Sequence, residues 1–195
     1  SHVGYAFSRF TASVAVIALV MSAWMIVQVV CHEFLPIDSN TSTRVPFALW
    51  NYIQPLLLFA LPLTVFVGGV AMWIGVRTRQ PVLVFALPVV ILVTGLFFLW
   101  DFNRAWLPLW ASDAMGLVDP AGFRWFRRTF LDENRGTAFY NESPFVPSAA
   151  FVASRVALTA IGLLAVWATG RRLARTEHRS EEHTSELQSP CNLVC

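Results

Sequence analysis

Arg155 is the one ionisable side chain inside a stretch apolar enough to cross a bilayer. A charge at that depth costs at least ~2.5 kcal/mol and by default marks an ion path, a relay or a buried pair. Arg155 lies about two turns into its stretch. Snorkelling to the interface, or pairing with an acid such as Asp119 or Glu142, would satisfy it without any transport role. Its position favours that structural role. Asp101, Asp113 and Asp119 are carboxylates that could meet, but they fall in an irregular polar stretch whose spacing imposes no pair. Asn51 and Gln54 begin another apolar stretch and suit hydrogen bonding between helices or interface polarity.

Other chemistries fail on residue type. All 14 basic residues are Arg, so no G-x-x-x-x-G-K-[ST] loop can exist and the chain cannot be its own ATPase. Neither H-E-x-x-H nor G-x-S-x-G occurs. Cys31 is far from Cys191 and Cys195, and His2, His32 and His178 are scattered, which leaves a metal knuckle unsupported. Asn40-Thr41-Ser42 and Asn141-Glu142-Ser143 match glycosylation sequons, which matter only in a secretory-pathway host. No cofactor is expected in this chain, and no nucleic acid.

The elements that must hold Arg155 are membrane helices. Apolar residues make up 56% of the 195 and charged residues 13%, against about 45–50% and about 25% in soluble domains. Sixteen Phe and eight Trp add surface that so few charges could not cover in water. Four stretches approach the ~20 residues a spanning helix needs: about 10–30, 52–76, 81–100 and 149–169. Pro55, Pro62 and Pro88 fall inside them, which a membrane bundle tolerates because neighbouring helices re-satisfy the freed carbonyls. Gly68, Gly69, Gly75 and Gly95 suit close helix packing. The expected fold is an all-α polytopic bundle of four transmembrane helices in a lipid bilayer, with an interfacial amphipathic outer segment over 101–147.

Arginine density orients the bundle. Arg9, Arg77, Arg79, Arg171, Arg172 and Arg175 are concentrated in short ends and one turn, while the six in 31–48 and 101–147 are diluted among eight acids. The dense side is expected to be cytoplasmic, which places both ends inside a cell (inner) membrane. In the outer segment, a helix from Pro120 would put Phe123, Phe126 and Phe130 on one face, with Arg124, Arg127 and Arg128 on the adjoining arc. Such a helix suits the headgroup region, with guanidiniums snorkelling outward. Trp106-Leu107-Pro108-Leu109-Trp110 suits an aromatic anchor or a shallow dip into lipid.

The two ends are unlike the middle. The stretch from Arg179 to Ser189 resembles the in-frame translation of a sequencing-adapter oligonucleotide, and residues 179–195 are read as a non-native tail. Without them the balance is 13 Arg against 9 acids, or +4. Ser1 opens the chain close to membrane-like sequence, as in a fragment. Residues 1–178 are therefore expected to be part of a larger transmembrane domain.

Three stretches resemble the permease subunit of a type-2 ATP-binding-cassette exporter. Tyr52-Ile53-Gln54-Pro55-Leu56-Leu57-Leu58-Phe59-Ala60-Leu61-Pro62, leading to Arg77-Thr78-Arg79, resembles that family's fourth span and the short basic turn closing it. Asp119-Pro120-Ala121-Gly122-Phe123 resembles its outer Asp-Pro-Phe-Gly element, with Ala121 where Phe is usual. Asn141 to Pro144 and Ser154-Arg155 resemble the polar stretch and Asn-Arg pair opening the last span, with Ser154 where Asn is usual. The resemblance covers about residues 1–175 and implies the third to sixth spans of a six-span permease.

It further implies partners: a separate ATP-binding-cassette ATPase subunit that binds the ATP, and a second permease subunit, identical or different. Arg77 and Arg79 would form an ATPase-facing turn, and Asp119, Pro120, Gly122 and Arg155 a gate or structural motif in the outer segment. Two other classes fit the residues. A polytopic membrane enzyme would use Asp101, Asp119 and Arg155 at the outer interface. A membrane assembly protein would use the aromatic outer loop for docking.

Overall fold

A computed structural model describes residues 2–34, 47–100, 106–132 and 146–188, and these are helical without a strand. Helix α1 runs His2–Val29 and widens into a π-helical turn at Val30–Phe34. Helix α2, Leu49–Pro55, passes through a π-helical turn at Leu56–Ala60 into α3, Leu61–Thr78. Proline cannot supply the N–H that Leu58 would receive from position 62. The widened turn instead brings the Leu61 N–H to the Leu56 carbonyl, so the rod stays helical from Leu49 to Thr78.

Helix α4, Pro81–Val93, carries Pro88 inside it and ends in a π-helical turn at Thr94–Leu99. Two short helices follow, α5 (Leu109–Val118) and α6 (Phe123–Phe126), the latter continued by a π-helical turn at Arg127–Leu131. Helix α7 spans Ala149–Gln188. Its backbone carries the start of the adapter-like tail on the same rod.

Among the described residues, three helices are long and apolar enough to cross a membrane: His2–Val29, Leu49–Thr78 and Ala149–Arg175. This is a membrane-embedded helical protein. The expected third span is not among them, although α4 and its π-helical turn keep Pro81–Leu99 helical throughout. At ~1.5 Å per residue that stretch is about 28 Å, just under the ~30 Å hydrocarbon core.

Inter-helix contacts give the topology. Phe10 meets Gly68 and Val3 meets Gly170, whereas Phe59 lies beside Phe151 and Val65 beside Gly162. Helices α3 and α7 therefore run parallel, with α1 antiparallel to both. A tight turn reverses the chain into α4 and sets Val84 against Gly75. Arg79 closes α3 in the left-handed region (φ 54°), its N–H donating to Gly75 O at 2.9 Å, and Pro81 then opens α4 at a position where no N–H is needed.

The α3–α7 pair is the tightest seam. A Cβ on Gly69 would collide with the carbonyl of Gly162, and a Cβ on Gly162 with the carbonyl of Val65. In lipid, helices gain no hydrophobic drive toward one another, so close backbone approach at small residues holds them. Around this seam Ala6, Phe10, Val65 and Val166 form a small core. Most other large apolar side chains face outward, including Leu19, Phe85 and Phe97. That distribution suits a hydrocarbon solvent rather than water.

Arg9 lies over Tyr5, Arg77 over Trp73 and Arg171 over Trp167, at 5.3, 5.6 and 3.9 Å from the ring centres. Each pair is four residues apart on its helix, and the topology gathers all three at one end of the bundle. Cation–π contact there holds each guanidinium on an amphipathic ring, a combination suited to an interface.

The seam makes a testable demand. Gly69→Ala and Gly162→Ala should each destabilise the bundle by about 1–3 kcal/mol through overpacking. Gly116→Ala should not, because a Cβ there meets nothing within 4 Å. Thermal melts of the three variants in one detergent compare them directly, and equal melting temperatures would contradict the seam.

Candidate functional site

The Asp119 motif and α7 meet at the end opposite Arg9, Arg77 and Arg171. Asp119 begins a turn in which its Oδ1 accepts the Ala121 N–H at 3.0 Å and its Oδ2 accepts the Arg124 N–H at 2.9 Å. The carboxylate thereby satisfies N–H groups that the first turn of α6 leaves unpaired. Gly122 sits between these contacts in the left-handed region, φ 76°. Its missing side chain also matters sterically, since a Cβ would lie 2.9 Å from the Phe59 ring and 3.2 Å from Phe151. Only glycine suits both demands.

Arg155 reaches this turn from α7. Its Nη1 donates to Pro120 O at 2.7 Å and its Nη2 to Asp119 O at 2.6 Å. The Phe151 ring lies 4.6 Å from the guanidinium carbon, and Ser154 Oγ is 3.1 Å from Nη2. Arg155 is 2% exposed and Asp119 fully buried. The intramembrane charge therefore does not snorkel. It meets Asp119, as one of the two structural alternatives anticipated, but through main-chain carbonyls. A planar fork suits two adjacent carbonyls better than an ammonium would.

Arg124 corrects the expectation that all three arginines of the outer arc point to water. It is 3% exposed. Its Nε and Nη2 donate to Ser112 O at 3.2 Å and Ser112 Oγ at 2.6 Å, and its Nη1 to Leu99 O at 3.0 Å. One side chain thus ties the Asp119 turn, α5 and the end of the α4 rod. Burial, then Arg128 nearby, lowers its pKa from the ordinary guanidinium value, while Asp119 and Asp132 oppose the shift. Arg127 donates to Trp100 O at 2.6 Å, and Arg128 pairs with Asp113 at 2.6 Å on the exposed surface. Asp113 therefore makes no pair with Asp119.

Aromatic rings close the site. Trp125 stacks on Phe151 at 4.0 Å, and Phe59 packs against Trp125, Phe126 and Phe151. Phe123 turns instead to Trp100 and Gly95. The expected single Phe face is therefore divided between two helices. A cleft of about 420 Å³ opens beside the cap, lined by Asp113, Trp125, Arg128, Thr129 and Ser148 among others.

Asp119, Pro120, Gly122 and Arg155, expected as one motif, come together. Arg77 and Arg79 are exposed at the opposite end. Asp101, Glu142, both sequons and Asn141–Pro144 lie outside the described residues. Tyr52 donates to Glu33 Oε1 at 2.9 Å and joins α1 to α2, and Gln54 is buried. Sequence reasoning missed Arg124, Ser112 and the Phe59–Trp125–Phe151 cluster. The usable signal was Gly122 between Asp119 and Arg124, where a tight turn brings a carboxylate onto a new helix start. Among the described residues no group of His, Cys, Asp or Glu could hold a metal. Comparison with family models, curated proteins and solved structures gives no match.

With both Asp119 oxygens committed to backbone donors, Asp119→Asn would set its amide against one of those N–H groups. Arg155→Lys would leave one carbonyl unmet. Each change should cost about 1–3 kcal/mol, the penalty of an unsatisfied buried group. With Cys31, Cys191 and Cys195 replaced by Ser, thiol labelling of Ser112→Cys reads the same loosening locally. Both changes should speed labelling, and unchanged rates would mean that the clamp does not hold the cap.

Proposed function

We propose that this chain is the four-span C-terminal part of a permease subunit of a type-2 ATP-binding-cassette exporter. It would form part of the translocation path while a separate subunit hydrolyses ATP, with a second permease subunit completing the path. The observation that carries this reading is the difference between the two ends. One end gathers Arg9, Arg77 and Arg171 on aromatic rings, with the exposed Arg79 in its turn. The other is covered by short helices clamped to α7 through Arg155. A basic end fits the cytoplasmic face by arginine density. A cap held to α7 by Arg155, to the end of the α4 rod by Arg124 and Arg127, and to the α3 rod through Phe59 fits an outer gate that moves when those helices shift together.

In this scheme ATP-driven closure of the ATPase subunits pushes on the Arg77–Gln80 turn and on Arg171 to Arg175. Helices α3 and α7, locked along the glycine seam, transmit the push as one body to the Asp119 turn. The cleft beside the cap would be the outer mouth. The membrane-enzyme alternative loses weight because Asp119 and Arg155, its proposed acid and cation, are buried and committed to backbone partners. An acid–base group must reach the proton it moves. Exposed Trp106, Leu109, Trp110 and Val118 favour the assembly alternative to the extent that they offer a docking crest, although interface anchoring uses the same residues.

Purifying the full-length protein from its native membrane tests the proposal. A P-loop ATPase subunit should co-purify, and Arg77→Glu with Arg79→Glu should lower its recovery at least tenfold, about 1.4 kcal/mol. Gly122→Ala should leave the association intact and reduce transport. Absence of any ATPase in the purified material would overturn it, whereas a tightly bound protein on the outer face would favour the assembly role.

A further inference from the structure

We propose that the groove between α1 and α3 is a binding site for one anionic phospholipid, its phosphate at Arg9 and one acyl chain lying along α1. The site is separate from the outer cap and does not rest on the exporter assignment.

Helix α1 is held close to its neighbours near its start, where Val3 packs on Gly170 and Phe10 on Gly68. Beyond that crossing, α1 and α3 enclose two adjoining hollows of about 230 and about 60 Å³ that share Val14, Ile17 and Thr64. Together they make a side-opening groove from Arg9 to Met21 and Leu57. Apart from Arg9 its polar wall groups are the hydroxyls of Ser13 and Thr64, and Ser13 Oγ already donates to Arg9 O at 3.1 Å. An occupant must therefore be apolar along its length and anionic at one end.

The length of the groove suits an acyl chain. Twelve residues separate Arg9 from Met21, about 18 Å of helix, against about 15 Å for half of a ~30 Å hydrocarbon core. Arg9 Nε donates to Tyr5 Oη at 3.2 Å and its guanidinium lies over that ring. This draws the cation toward the start of α1, the end at which Arg77 and Arg171 also sit on their rings. The charge thus lies at one end of the groove, with Met21 and Leu57 at its apolar far end. A chain docked with its phosphate on Arg9 fills the groove without bending.

The test uses the full-length protein reconstituted in vesicles of equal phosphatidylglycerol and phosphatidylcholine, then purified, with retained lipid counted by mass spectrometry. The wild type should retain phosphatidylglycerol in preference. Arg9→Gln should lower that preference about fivefold, the effect of one basic residue near an anionic surface, and leave the total unchanged. Ile17→Trp, or Thr64→Leu should the first fold poorly, should fill the groove and reduce both lipids. A benzoylphenylalanine at position 17 should photocrosslink to lipid. Equal retention of the two lipids by the wild type, an unchanged preference in Arg9→Gln, full retention in the groove-filled variant, or crosslinking to a protein segment or a second copy would each overturn the proposal.

Discussion

A guanidinium inside an uncharged helix has to find acceptors, and in hydrocarbon only protein can supply them. Arg155 finds them in the carbonyls of Asp119 and Pro120, and much of that half of the bundle follows from that necessity. For both carbonyls to face α7, the chain must turn sharply after Pro120. That turn requires Gly122 in the left-handed region and an acceptor for the N–H groups it exposes. The Asp119 carboxylate is that acceptor. Once the turn is formed, Trp125 meets Phe151 and Arg124 points inward to Ser112 and Leu99. Two guanidiniums and one carboxylate thus share a dry region, where each charge is tolerated because the others and the backbone satisfy it.

The clamp would have nothing firm to act on without the glycine seam. Gly69 and Gly162 let the α3 and α7 backbones touch, so Phe59 and Phe151 arrive side by side under Gly122. Seam and clamp lie on the same helix, one near its middle and one near its outer end. They make α7 the mechanical axis of the bundle. Helix α4, with no buried residue, is attached by its turn, by a Gly75–Val84 contact, and at the end of its rod by Arg124, Arg127 and Phe123. That asymmetry agrees with a bundle whose remaining faces are covered by lipid or further helices.

The three arginine–aromatic pairs share a geometry with different consequences. Each keeps a cation at an interface, yet Arg9 alone stands at the mouth of an apolar groove. Arg77 and Arg171 flank the turn and helix end that a partner approaching that end of the bundle would meet first. A basic end can therefore serve both lipid and protein, with the distinction set by what lies above each arginine.

Composition and hydropathy determined that this is a helical membrane protein, where its long helices lie, and that proline would not break them, because those properties depend on transfer to hydrocarbon residue by residue. The alternation of apolar stretches along the chain also foretold that Arg9, Arg77 and Arg171 would gather at one end. The motif Asp119-Pro120-Ala121-Gly122 and Arg155 were legible as residues of interest through their types alone. Their bonding was not, since main-chain carbonyls 35 and 36 residues away are invisible to sequence pattern. Helical periodicity likewise assigned Arg124 to water, whereas the fold buried it. A face is polar or apolar only relative to what packs on it, and the partners of Arg124 come from two other helices. Tertiary structure alone decided which glycines would touch backbone and where α1 would stand clear of α3. Those outcomes depend on pairs of surfaces, and a chain read one residue at a time contains only one surface of each pair.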